Sequence, residues 1–150
     1  MKPTAYLGID PGQSGAIALL SEEQVLVEDW PGDPNAAADV LREWLGQYRV
    51  DLAALERVNA MPKQGVSSTF KLGCNLGAWQ GILAALGLPY LMPTPQEWQK
   101  GLVKKSDGPD PKARSLAVAR RLFPDAVLSR KSDHGRADAL LLAWFAKQNG

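Results

Sequence analysis

The sequence predicts an α/β fold with a mixed five-stranded sheet: three antiparallel strands, then parallel additions, with helices flanking the sheet. Three observations predict it. Apolar residues 6–9 run into Asp10 and resume at 16–20 beyond Pro11 and Gly12, the pattern of two antiparallel strands joined by a tight turn. Residues 24–30 make a plausible third strand after the polar turn 21–23. Helix-spaced apolar positions and short apolar runs then begin to alternate.

The elements follow in order. Pro31, Gly32, Asp33 and Pro34 break the chain, and a helix is expected over 36–48. Val40, Leu41, Trp44, Leu45 and Tyr48 recur there at helical spacing, with Asn35 as candidate N-cap. Residues 52–58 read as a short buried strand carrying Glu56 between Leu55 and Arg57. A loop over 59–69 holds two donors, Lys63 and Gln64. The long helix after it starts at Ser67 or Ser68 and runs to Leu86. Gly73, Gly77 and Gly81 recur along it, although each glycine costs about 1 kcal/mol in a helix interior. Such a stripe implies close backbone approach, either by the sheet or by the same helix of a second subunit.

Residues 89–92 form the last strand, and Thr94 caps a short helix containing Trp98. Lys100, Lys104, Lys105, Lys112 and Arg114 crowd an irregular stretch ahead of a helix over 111–123. Cations beside a helix start suit phosphate groups, and the bland alternative is a solubilising loop. An apolar helix over 137–146 closes the chain, with Asp138 in its first turns and Asp133 and His134 at its approach. Gly135 reads as a tight turn.

At 150 residues the chain reads as one domain with a core large enough to stand without staples. A single cysteine, Cys74, excludes an internal disulfide and fits a reducing compartment. There is no signal-peptide pattern and no apolar run of spanning length, so a soluble, intracellular protein is expected, with no membrane partner. The net charge of +1 hides a split: residues 1–62 carry −6 and residues 63–150 carry +7. A face attractive to a polyanion is one reading, and ordinary solvated charge is the other.

Three scattered acids share a description. Asp10, Glu56 and Asp138 each sit at the end of an apolar element, with Asp133 nearby. A charged acid in such a setting needs a cation or a donor. Asp10 either caps its own turn or ligates a metal, and Glu56 either pairs with a base such as Arg57 or meets Asp10 around a shared ion. Asp133 can be a helix cap, and His134 either a structural residue or a ligand and proton handler. Oxygen ligands of this kind suit Mg²⁺ or Mn²⁺. Two such ions about 4 Å apart can activate water and stabilise the leaving oxygen of a phosphodiester.

The order of the motifs is more specific than the acids alone. GIDPG after an apolar strand, LERV on a later strand and DHGRADALLLA on the last helix resemble the RuvC family of Holliday-junction resolvases, which has the RNase H-like fold. The resemblance covers nearly the whole chain. VSSTFKLG, residues 66–73, is similar to the segment that opens the family's long central helix, and residues 93–112 to its basic loop. The resemblance implies a metal-dependent endonuclease with two Mg²⁺ or Mn²⁺ ions, acting as a homodimer on four-way DNA junctions. Asp10 would be the central ligand, Glu56 the second carboxylate and Asp138 the last-helix ligand. The family supplies a further acid or His one turn before the last Asp, but that position here is Gly135, so Asp133 is favoured for the role, with His134 as a possible ligand or proton handler. Phe70 would stack against bases or anchor the core. Lys63, Gln64, Lys71, Lys104, Lys105 and Lys112 would contact phosphates. The compact length resembles phage and organelle versions.

Three other readings stay open. One is an RNase H-like nuclease for another branched or hybrid nucleic acid. Another is a non-catalytic junction binder. The third is a sugar-kinase or actin-like phosphotransferase, which would need a second glycine-rich phosphate loop.

Overall fold

The computed structural model describes residues 1–150. Strands β1 (Thr4–Asp10), β2 (Ala16–Ser21) and β3 (Val25–Asp29) form an antiparallel meander. Helix α1 (Pro34–Gln47) leads to β4 (Arg49–Leu55), which pairs parallel to β1. Helix α2 (Val66–Ala85) leads to β5 (Tyr90–Leu91), parallel to β4. Helices α3 (Pro95–Gln99), α4 (Pro111–Leu122) and α5 (His134–Asn149) complete the chain. The sheet order is β3-β2-β1-β4-β5, the mixed five-stranded arrangement expected.

Strand alternation divides the core into two. Leu7, Ile9, Ile17, Leu19, Ala53 and Leu55 face one side, where Leu41 and Trp44 of α1 and Trp79 and Leu83 of α2 cover them. Ala16, Ala18, Leu20 and Ala54 face the other side, beneath α4 and α5. Asp10 has the parity of Gly8, so it belongs to the α5 side. Gly8 lets α5 lie directly on β1, because a Cβ there would overlap the Ala139 carbonyl oxygen and the Ala143 amide. Gly135 works the same way: a Cβ would strike the Ser14 carbonyl oxygen in the β1–β2 turn. Gly135 is helical rather than a turn, and α5 starts three residues earlier than expected, at His134.

Other boundaries also move. Asp33, not Asn35, caps α1, accepting the Ala36 N–H at 3.0 Å, with Pro34 entering the first turn. Strand β4 begins at Arg49 and ends before Glu56, whose N–H still donates to the Ile9 carbonyl at 3.1 Å. Thr94 caps α3 as expected, accepting from the Glu97 N–H at 3.2 Å. The basic stretch is more ordered than its composition implies. Arg114 donates inward to the Gly108 carbonyl at 2.8 Å, and Asp107 accepts the Lys104 N–H at 2.7 Å. Gly73, Gly77 and Gly81 meet no other element of the chain, since open space surrounds a Cβ at each. The sheet is therefore not what the stripe approaches.

Candidate active site

Three carboxylates from three elements converge where β1 and β4 end beneath α5. Asp10 closes β1, and its Oδ1 accepts the Gly12 N–H at 3.0 Å. It therefore caps its turn and also faces the other acids. Burial pushes its carboxyl up, while the Gly12 hydrogen bond and the charge of His134 draw it partly back. Glu56 is 9 % exposed, and its Oε2 accepts the Trp98 indole N–H at 2.7 Å. Burial, with the charge of Asp10 behind it, pushes its carboxyl up to about 7, against a smaller opposing effect of Trp98. Arg57 does not pair with it; the Arg57 N–H instead donates to the Pro93 carbonyl at 2.8 Å.

Asp138 comes from the second turn of α5. Burial raises its carboxyl well above the usual range, the charge of Asp10 raises it further and Glu56 adds to this. The Ser115 hydroxyl offsets part of the effect. Its Oδ1 is buried without any hydrogen-bond partner. An orphaned acceptor beside two mutually repelling carboxylates is costly unless something positive enters. Hard oxygen donors, the orphaned atom and the mutual repulsion all fit a divalent cation. No three His, Cys, Asp or Glu side chains stand gathered into a ready-made metal cage.

Asp133 lies elsewhere. Its side chain is 1 % exposed and bound by Arg130, at 2.6 Å from Nη2, 2.9 Å from Nε and 2.8 Å from the backbone N–H. Arg136 stands 3.9 Å away. Burial alone would raise the Asp133 carboxyl, but the Arg130 hydrogen bonds and both guanidinium charges hold it below the ordinary range. Asp29 joins the network at 2.7 Å from Arg136 Nε. Both Asp133 oxygens are thus engaged by Arg130. His134 is the residue whose charge reaches Asp10.

Phe70 is 71 % exposed on α2, so it is not a core anchor. It lines a shallow cleft with Gln13, Trp30, Lys71 and Asn75, beside the turn that follows Asp10. Lys63, Lys71, Lys104, Lys105 and Lys112 are exposed. Gln64 braces its own turn, its Oε1 accepting the Met61 N–H at 3.2 Å, which leaves its side-chain N–H groups as donors. Lys112 shares a cleft with Arg120 and Lys131, two cations that the sequence reading did not single out. Trp98 and Ser115 were also missed. Their roles depend on which acid they meet, and only chain packing reveals that.

No protein-family model matches the chain. Over 88 residues, 57 % of this chain, it is 35 % identical to the chloroplastic Holliday junction resolvase MOC1 of Chlamydomonas reinhardtii. The chain spans about a tenth of that relative's length, 10 %. It is similar in structure to Thermus thermophilus RuvC in complex with a Holliday junction substrate, with a TM-score of 0.63 and 19 % identity over 93 % of this chain and 90 % of that one. A second Thermus thermophilus RuvC structure gives a TM-score of 0.60 and 20 % identity over the same shares, 93 % and 90 %. The RNase H-like fold and the RuvC resemblance expected from the motifs are both upheld.

Proposed function

We propose that this chain is a metal-dependent endonuclease, one RNase H-like nuclease domain that resolves four-way DNA junctions. The observation that carries the reading is the convergence of Asp10, Glu56 and Asp138, with the Asp138 Oδ1 left unpartnered. Asp10, Glu56 and Asp138 would hold two Mg²⁺ or Mn²⁺ ions, with His134 in place of Asp133 as fourth ligand or proton handler. When bound, the ions supply electrophilic stabilisation and water activation for phosphodiester hydrolysis. Asp10, whose charge acts on both other acids, is oriented by its Gly12 hydrogen bond. Glu56, with its carboxyl near 7, becomes a full ligand only after losing its proton.

On this reading the substrate is branched DNA. Lys63, Gln64, Lys71, Lys104, Lys105 and Lys112 contact phosphates, and Phe70 stacks on an unpaired base. Paired nicking requires a homodimer, and the unfilled glycine stripe of α2 is the surface offered for it. No helix is long and apolar enough to cross a membrane. An intracellular setting, in cytoplasm, organelle or phage-infected cell, belongs to the same proposal.

The test is a synthetic four-way junction incubated with wild type and Asp10→Asn in Mg²⁺ or Mn²⁺, with an RNA–DNA hybrid and a flap alongside. The junction should be nicked in preference, and Asp10→Asn should bind it without cutting. Cutting by the variant at the wild-type rate would sink the metal centre. Preference for hybrid or flap would move the substrate to another nucleic acid, and binding without cutting by wild type would make the chain a junction binder.

A further inference from the structure

We propose that Trp98 is a positioning residue for this site: its indole N–H holds one oxygen of Glu56 and leaves the other free for a divalent cation. This rests on the metal-centre reading above. Trp98 is 2 % exposed, and its Nε1 lies 2.7 Å from Glu56 Oε2. Its chemistry separates it from other donors. Indole donates one hydrogen bond and accepts none, so it fixes which oxygen of the carboxylate is occupied. It is also neutral, so the carboxylate keeps the charge that a divalent ion needs. Arg130 does the reverse at Asp133, where a guanidinium neutralises the acid it binds.

The segment that carries the indole is held from several sides. Thr94 caps α3, Pro95 enters its first turn, and the Trp98 N–H donates to the Thr94 carbonyl at 3.1 Å. The Arg57 N–H donates to the Pro93 carbonyl at 2.8 Å, tying the approach to α3 to the residue after Glu56. The indole and the carboxylate are thus anchored to one another through backbone as well as side chain. Trp79 supplies the internal control. It is 1 % exposed in the opposite core, and its Nε1 has no hydrogen-bond partner. Replacing either tryptophan by phenylalanine removes a buried indole, but only one replacement frees a carboxylate.

The experiment titrates the full chain with MnCl₂ by calorimetry, and measures junction cleavage against MgCl₂ concentration, for wild type, Trp98→Phe and Trp79→Phe. Trp98→Phe should weaken Mn²⁺ binding by about 10-fold or more, the usual scale for losing a partner that orients a ligand. Its half-saturating MgCl₂ should rise by more than its maximal rate falls. Trp79→Phe should bind Mn²⁺ within about twofold of wild type, since no ligand depends on it. Unchanged Mn²⁺ binding in folded Trp98→Phe overturns the positioning role and leaves the metal centre standing. A wild type that binds no Mn²⁺ overturns both. Should Trp98→Phe fail to fold, the wild-type indole N–H resonance carries the test. It should shift with MgCl₂ at the half-saturating concentration of the cleavage titration, and a resonance unmoved at saturation overturns the role.

Discussion

Two clusters of acid flank the start of α5, one pairing buried Asp133 with exposed Asp29 and the other gathering Asp10, Glu56 and Asp138, and they meet their charges in opposite ways. Asp133 is covered by Arg130 and Arg136, and these guanidinium groups also hold Asp29 at the end of β3. Each acid there has a permanent counter-charge, so both carboxyls are held below their ordinary range. That network closes the α5 N-terminus onto the sheet edge. The Asp10, Glu56 and Asp138 cluster has no arginine or lysine, and the one basic group whose charge reaches it is His134, at Asp10. Its hydrogen-bond partners are a backbone N–H, an indole N–H and a serine hydroxyl, all neutral. Burial raises all three carboxyls, and the cluster repels itself. The contrast teaches that burial does not identify a functional acid. What matters is whether its partner removes its charge.

The sharpest way to break the comparison is to remove one acid from each cluster. Asp138→Asn should lower junction cleavage by about 100-fold or more, the scale of deleting a principal electrostatic element of a site. Asp133→Asn should leave cleavage within a few-fold at saturating metal, yet lower the melting temperature by several degrees. Thermal melts and cleavage rates on both variants check this. Equal loss of cleavage in the two would return Asp133 to the metal site.

The clusters should also respond to pH with opposite signs. Glu56 has an ordinary value of 4.5 and a folded value of about 7. Its contribution to metal-free stability is therefore fully present below 4.5 and lost as pH rises through about 7, a change on the order of 3 kcal/mol. Asp29 and Asp133 are lowered from 3.8, so their contribution is present above 3.8 and lost as pH falls through their lower folded values. Melting temperatures of metal-free protein should decline from mildly acidic to mildly alkaline pH. Saturating Mg²⁺ should raise them most on the alkaline side, where the carboxylates are charged. A melting profile flat through pH 7, with or without Mg²⁺, would count against the uncompensated cluster.

Gly8→Ala should cost about 1–3 kcal/mol by overpacking the α5–β1 contact, and should impair Mn²⁺ binding because Asp138 rides on the displaced helix. Denaturant melts and Mn²⁺ titration measure both. The smallest effect is expected from Thr94→Ala, about 1 kcal/mol for a lost cap. Because α3 carries Trp98, the same variant should weaken Mn²⁺ binding slightly without affecting the Arg130 network.

Much of this was legible along the chain. The three-strand meander, the parallel additions, the capped α3 and the amphipathic helices follow from apolar period and turn residues, which act locally. Asp10, Glu56 and Asp138 stand out because a charge interrupts an apolar element, and that is visible without neighbours. Asp133 differs: it lies in a polar run beside the last helix, and Arg130 and Arg136 are ordinary surface cations until the backbone turns them onto it. The start of α5 lies ahead of its apolar pattern, because Gly135 has the composition of a turn but serves a helix that touches Ser14.

Local pattern was sufficient for the kinds of elements and for which acids are unusual, because burial period and turn chemistry are set within a few residues. Packing alone resolved which acid meets a cationic partner and which meets a neutral one, because Glu56 and Trp98 or Asp29 and Arg136 lie far apart in the chain. Gly8 links the two levels: the absence of a side chain at one strand position lets a helix from the far end of the chain bring Asp138 down beside Asp10.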